Sequence, residues 1–238
     1  MMRTGKPPAW GSALAAVRRT VAVALIGCTG VASAAMVSFN EVAMDTIFSQ
    51  ASFGGRNIDI RFNTPLSVIA PGLLSIDSDA EFSGSASSLS ALAVQLRIPN
   101  STVSVFFVDA ITFCGSSGSN IIGCGSNPGG LIALQSAAAA RANGAVLMAH
   151  ELGHNLGLSH QAGSGNLMNS RLTSATFLSE SQANTILGSR LVLMDGAQRY
   201  ISITPVAVLA AVPEPHTWAM LSLGLLGVAG WARRRRAG

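Results

Sequence analysis

Three of the four histidines in this 238-residue chain lie within eleven residues, in the stretch AHELGHNLGLSH from Ala149 to His160. Apolar residues precede and follow the first histidine at helical spacing, which predicts a helix from about Gly144 to Leu156. His150 and His154 are four residues apart and therefore project from the same face of that helix. We therefore expect this helix to form the floor of a cleft, with the two histidines facing the cleft.

Two imidazoles one helical turn apart can converge on a single metal ion at Zn–N distances of about 2.0–2.1 Å. Glu151 is next to the first histidine, where it cannot bind the same ion but can reach a water on it. Zinc lowers the pKa of such a water towards about 7, and a carboxylate can take its proton and later protonate a leaving amine. The spacing predicts a hydrolytic zinc centre with His150 and His154 as ligands and Glu151 as the catalytic base.

The residues after the helix supply a third ligand. A helix that continued would carry His160 about 240° around its axis from His154. Gly157 can adopt the positive φ that ends a helix and turns the chain, so that His160 can return to the metal. Three protein ligands leave the fourth position to water, as in catalytic rather than structural zinc sites. We therefore expect one catalytic Zn²⁺.

The pattern His150-Glu151-x-x-His154-x-x-Gly157-x-x-His160, followed by Met168, resembles the metzincin metallopeptidases. The resemblance implies that Met168 forms a Met-turn under the metal. It also implies a twisted, mostly parallel sheet with an antiparallel edge strand, an active-site helix, and a small C-terminal subdomain after the third ligand. Members of the family bind the substrate as an added strand at a sheet edge, and by analogy Gly130 to Leu134 is the expected edge.

These residues lead to one main functional hypothesis and two alternatives. The main hypothesis is an exported zinc endopeptidase that acts as a monomer on a peptide or protein substrate. The first alternative is a non-catalytic surface or extracellular-matrix protein that retains the zinc-binding fold. The second is another zinc hydrolase, such as an amidase. Gln161 follows the third histidine, where several metzincin subfamilies carry Asp, Glu or Pro, so the sequence assigns no subfamily.

The charge distribution argues against a nucleic-acid partner. The formal net charge is +4, but residues 35–212 contain seven basic and ten acidic side chains, a balance of 7 − 10 = −3. The positive excess is confined to the two ends of the chain. A protein that binds nucleic acid is expected to carry a basic stripe in its folded body, and this sequence predicts none.

The N-terminal 34 residues have the three parts of an export signal. Basic residues precede the apolar segment from Thr20 to Val31, and Ala32-Ser33-Ala34 is a small-residue cleavage site. We expect cleavage after Ala34. The alternative is a lipoprotein signal, because the segment Leu25 to Cys28 would place Cys28 at the lipidated position.

The C-terminal end carries a second export-related pattern. Pro213-Glu214-Pro215 precedes the uncharged segment from Thr217 to Ala232, and Arg233 to Arg236 follow it. This arrangement resembles the PEP-CTERM sorting signal of Gram-negative bacteria, which implies recognition by an exosortase-like enzyme in the inner membrane. We expect Thr217–Ala232 to anchor the chain transiently by a transmembrane helix, with the arginines on the cytoplasmic side, before delivery to the cell surface or the medium. The alternative for this segment is a buried core helix.

Between the two signals, the pattern predicts one α+β domain at residues 35–204, a linker at 205–212 and the sorting signal at 213–238. Strands are expected at Asn57–Phe62, Thr102–Val108 and Gly130–Leu134. Helices are expected at Ser88–Ile98 and, after a capping box, from Ser179 onward. Strands thus come first and the long helices later.

Export also bears on the cysteines. Cys114 and Cys124 remain in the exported chain as an even pair in an oxidising compartment, which favours a disulfide that closes the loop between them. A free buried pair is the alternative.

Overall fold

The structure is a computed structural model that describes residues 35–82, 87–211, 221–226, 228–229 and 233–235. The predicted export signal, with Cys28, and the Pro213-Glu214-Pro215 motif lie outside the described residues. The described body is a mixed α/β domain with a mostly parallel sheet. No helix within the described residues is long and apolar enough to cross a membrane.

The body contains six helices and ten strands in the described ranges. The helices are α1 (Glu41–Ile47), α2 (Asp79–Phe82), α3 (Ser88–Gln95), α4 (Ser136–Ala139), α5 (Gly144–Asn155) and α6 (Glu180–Leu187), with short 3-10 turns at Ala51–Phe53 and Pro71–Leu73. The strands are β1 (Ile58–Phe62), β2 (Leu66–Ile69), β3 (Ser75–Ile76), β4 (Val103–Val108), β5 (Ala110–Phe113), β6 (Ser117–Ile121), β7 (Gly123–Gly125), β8 (Leu131–Gln135), β9 (Leu193–Asp195) and β10 (Gln198–Leu209).

The main sheet has the order β1-β10-β4-β8-β7, and β2 and β9 also pair with β10. Strands β1, β2 and β4 run parallel to β10, and β8 runs parallel to β4. Strand β7 pairs antiparallel with β8 and forms the edge. The expected antiparallel edge strand is therefore present, but its predicted position was wrong. Gly130–Leu134 corresponds to β8, which lies one strand inside the edge between β4 and β7.

Strand β4 shows how the sheet is buried on both faces. Its side chains alternate between two apolar cores, with Val103, Val105 and Phe107 in the first core and Phe106 and Val108 in the second. All six residues of the strand are buried. Helices α1, α5 and α6 contribute to the first core, and α2 and α3 to the second. A largely apolar run, broken here only by Ser104, is what a parallel strand with helices on both sides requires.

The C-terminal boundary of the domain also differs from the prediction. We expected a linker from residue 205, but β10 continues to Leu209. Its second half pairs with β2 and β4, and Val206 and Val208 are fully buried. Residues 205–209 therefore belong to the sheet, and the order of strands first and helices later does not hold.

The chain after His160 does not form a separate subdomain. Helix α6 packs into the first core through Ala183 and Ile186. The chain then enters β10, which lies inside the main sheet between β1 and β4. The expected small C-terminal subdomain is thus replaced by elements that complete the main domain.

Candidate metal centre

Helix α5 brings the first two histidines to the cleft as the sequence predicts. It spans Gly144–Asn155, close to the expected range. Gly157 has a φ of 95°, and the Leu158 N–H donates to the Gly153 carbonyl at 2.9 Å, so the helix ends in a sharp turn. This turn returns His160 to the other two histidines.

The three imidazoles converge as a metal site requires. One ring nitrogen from each of His150, His154 and His160 lies within 4.8 Å of the others. The Nε2 atoms of His154 and His160 are 3.2 Å apart. Two ligands at about 2.0–2.1 Å from one tetrahedral ion lie roughly 3.3 Å from each other. The three side chains therefore form a group that could hold one metal ion.

Backbone carbonyls orient two of these rings. Nδ1 of His150 lies 2.8 Å from the Leu167 carbonyl oxygen, and Nδ1 of His154 lies 2.8 Å from the Leu158 carbonyl oxygen. Since a carbonyl only accepts, each Nδ1 carries the hydrogen and each Nε2 presents its lone pair to the site. This tautomer is the one that a metal needs.

Burial keeps the same two histidines uncharged. It lowers the pKa of His150 to about 4, although the hydrogen bond to the Leu167 carbonyl acts in the opposite direction. Burial also lowers the pKa of His154. Only a neutral imidazole binds a metal, so the site does not need to lose protons from these two rings at neutral pH.

Glu151 lies in the cleft with its side chain buried against strand β7. Burial raises its pKa to about 8, and a hydrogen bond from the Gly125 N–H partly offsets this. A Cβ atom at Gly123 would lie 2.5 Å from Oε1 of Glu151, and one at Gly125 would lie 2.5 Å from the Glu151 carbonyl oxygen. The helix and the edge strand can approach this closely only because both positions are glycine.

Met168 packs against helix α5 beside the histidines. Its side chain is fully buried, and a Cβ atom at Gly153 of α5 would lie 2.5 Å from its sulfur. The Leu167 carbonyl reaches His150, and the Met168 carbonyl accepts from the Gln161 N–H at 2.8 Å. The turn thus contacts the first histidine directly and the third through its neighbour in the chain.

The site opens into a cleft of about 790 Å³. One wall comes from β6 and β7, and the opposite wall from the segment after the Met168 turn, Ser170 to Leu172. A disulfide joins Cys114 to Cys124, and so ties the chain after β5 to the middle of β7. The cysteine pair therefore holds one wall of the cleft.

Several residues that hold the site were not predicted from the sequence. Asn155, the last residue of α5, donates from Nδ2 to the carbonyl oxygens of Ser126 and Leu131 at 2.8 and 2.9 Å. These bonds fix the loop between β7 and β8 against the helix. Gly123 and Gly125 were also missed. Their signal in the sequence is the alternation Gly-Cys-Gly, because glycines at alternate strand positions mark a close approach of other backbone.

Residues 211–236 match the family model of the PEP-CTERM protein-sorting motif. The match confirms the C-terminal sorting signal predicted from the sequence. It implies export, membrane sorting and recognition by an exosortase-like enzyme. Comparison of the whole chain with curated proteins gives no match.

Proposed function

We propose that this chain is an exported zinc-dependent endopeptidase. The observation that supports the proposal is the convergence of three histidine nitrogens beside a buried carboxylate in an open cleft. A set of three imidazoles suits zinc, and a three-ligand site leaves a coordination position for water or substrate. The metal would activate water and polarise the peptide carbonyl.

Glu151 would carry the proton in the reaction. Its carboxylate accepts a proton from the attacking water and returns it to the leaving amine. A pKa of about 8 without metal means that the acid form dominates at pH 7. A divalent cation on the neighbouring histidines favours the charged carboxylate, so Glu151 is a base in the metal-loaded protein.

Strand β7 offers the substrate an edge. The Gln135 N–H donates to the Ile122 carbonyl and the Ser126 N–H to the Leu131 carbonyl, so the backbone polar groups of alternate residues in this segment point toward β8. By the antiparallel alternation, the N–H and C=O groups of Gly123 and Gly125 point away from β8. Both residues line the cleft. An extended peptide can then pair with the free backbone groups of Gly123 and pass the histidines.

Substituting Glu151→Gln tests the mechanism. We expect zinc content to stay near one ion per molecule and casein or peptide-library cleavage to fall about 10²- to 10⁴-fold, because general base catalysis is lost. Glu180→Gln, at the exposed start of α6, is the matched control and should leave both properties unchanged. His154→Ala should lose the metal. Equal cleavage by wild type and Glu151→Gln would refute the proposed role of Glu151.

The same experiment separates the peptidase from a non-catalytic protein. If wild type binds zinc, and wild type and Glu151→Gln are equally inert on a broad peptide library, the chain is a metal-binding surface or matrix protein. Cleavage of amide substrates other than peptides by wild type alone would indicate another zinc hydrolase.

We also propose a location for this activity. The apolar segment Thr217–Ala232 would anchor the chain in the inner membrane of a Gram-negative bacterium after export. An exosortase-like enzyme would then cut near Pro213-Glu214-Pro215 and deliver the catalytic domain to the surface or the medium. The sorting motif at residues 211–236 supports this order of events.

A further inference from the structure

The side-chain amides of Asn166 and Gln182 form a reciprocal pair beside the candidate metal centre. Nδ2 of Asn166 donates to Oε1 of Gln182 at 2.8 Å, and Nε2 of Gln182 donates to Oδ1 of Asn166 at 3.1 Å. Gln182 is buried and Asn166 is partly buried. The two hydrogen bonds between the amide groups define a single relative orientation of these side chains.

Each amide oxygen in the pair also accepts a backbone hydrogen bond. Oε1 of Gln182 accepts from the Ser179 N–H at 2.9 Å, at the start of α6. Oδ1 of Asn166 accepts from the Met168 N–H at 2.8 Å. Both oxygens thus use two acceptor positions. The pair is a bridge between the first turn of α6 and the turn that contains Met168.

From the Met168 turn, two further bonds lead to the histidines. The Leu167 carbonyl, between Asn166 and Met168 in the chain, lies 2.8 Å from Nδ1 of His150. The Met168 carbonyl accepts from the Gln161 N–H, directly after His160. A change in the position of the Met168 turn would therefore move or reorient two of the three imidazoles.

We propose that Asn166 and Gln182 are positioning residues for the metal centre. They fix the Leu167 and Met168 carbonyls and thereby the orientation of His150 and His160, so that an element outside the cleft, α6, sets the affinity for the metal. This inference rests on the metal centre of the proposed function, but not on peptide cleavage. Partners that orient metal-ligating histidines typically change metal affinity 10- to 100-fold when they are removed.

Helix α6 has other supports, which makes the pair separable from the stability of the helix. The Ser179 hydroxyl accepts from the Gln182 N–H at 3.2 Å and caps the helix. Ala183 and Ile186 are fully buried in the first core. Ser179→Ala therefore weakens α6 without removing either side-chain amide, and is a control for a merely structural role.

The test is a zinc affinity measurement on the full chain by competition with a chromophoric chelator. We expect Gln182→Ala and Asn166→Ala each to weaken Zn²⁺ binding about tenfold. The double variant should lose about as much as one single variant, because the two side chains act as a unit. The Co²⁺-substituted variants should show altered visible absorption, since the ligand geometry changes. Ser179→Ala should lower the thermal midpoint but keep the affinity and the Co²⁺ spectrum of wild type.

Three results with the variants would overturn the proposal. These are unchanged Zn²⁺ affinity in Gln182→Ala, a loss in Ser179→Ala equal to that in Gln182→Ala, and independent additive losses in the double variant. A wild type that binds no metal would also overturn it. Normal metal binding without any peptide cleavage would refute the peptidase and leave the positioning role intact.

Discussion

At the scale of the residue, one close constraint on the site is the approach of Glu151 to the edge strand. Oε1 of Glu151 would lie 2.5 Å from a Cβ atom at Gly123, well inside van der Waals contact. The strand cannot retreat freely, because β7 is paired with β8 and Cys124 is bonded to Cys114. The carboxylate would have to move instead.

Gly123→Ala should therefore damage catalysis more than metal binding. We expect kcat/KM for peptide cleavage to fall roughly 100-fold, since a displacement of about 1 Å of a catalytic group can have that effect. Zinc affinity should stay within about twofold, because the atoms nearest to an added Cβ at Gly123 all belong to Glu151 and not to a histidine. Gly165→Ala, where a Cβ atom would meet nothing within 4 Å, is the matched control. Unchanged cleavage in Gly123→Ala would contradict this view of the site.

At the scale of the element, β7 is a three-residue strand that depends on one neighbouring strand and one disulfide. The bond from Cys124 links it to the end of β5, in the small sheet of β3, β5 and β6. Since β7 supplies the wall behind Glu151, the disulfide joins the two sheets at the cleft of the candidate metal centre.

Removing the disulfide should destabilise the domain and loosen the edge strand. For a sequence separation of 10 residues, loop-closure entropy gives a loss of up to about 3 kcal/mol in the Cys114→Ser, Cys124→Ser double variant. Urea unfolding measures the loss, and hydrogen exchange should show faster exchange at Gly123 and Gly125. A reducing agent should destabilise wild type but not the variant. A variant as stable as oxidised wild type would show that the bond contributes nothing to folding.

Some elements could be predicted from the sequence because their signals are local. The helix of the histidines follows from apolar spacing and Gly157, and the structure places its end within one residue of the expectation. The capping box is likewise present, with both Ser179 and Gln182 bonds formed. In β4 a largely apolar run rich in β-branched and aromatic residues was sufficient. Hydrophobic periodicity and helix-capping residues each involve only a few neighbouring positions in the sequence.

Other elements could not be predicted because their signals are distant. Strand β10 takes its place from β1, β2 and β4, all more than 90 residues away, and Pro205 in its middle argues against a central strand. The edge strand β7 has only three residues and no apolar period. The apolar run Gly130–Leu134 was therefore the stronger signal for an edge strand. The Asn166–Gln182 pair depends on a contact between two segments that the sequence does not connect.

At the scale of the whole molecule, β10 holds the domain together. It pairs with β1, β2, β4 and β9. Strand β2 pairs only with its second half, and β9 only with its first half. Its side chains reach both cores, with Ile201 and Ile203 in the first and Val206 and Val208 in the second. Strand β10, the last strand among the described residues, is thus required by elements that begin with residue 58.

The position of β10 predicts where the folded domain ends. A chain from Ala35 to residue 211 should unfold cooperatively, whereas one that stops at residue 204 should not. The shorter chain loses the pairing with β2 and the burial of Val206 and Val208, each worth about 1.5–3 kcal/mol. With the lost backbone bonds, this approaches the 5–15 kcal/mol that stabilises a typical domain. Thermal unfolding followed by circular dichroism compares the two chains. A cooperative transition and wild-type zinc binding in the shorter chain would restore the boundary at residue 204.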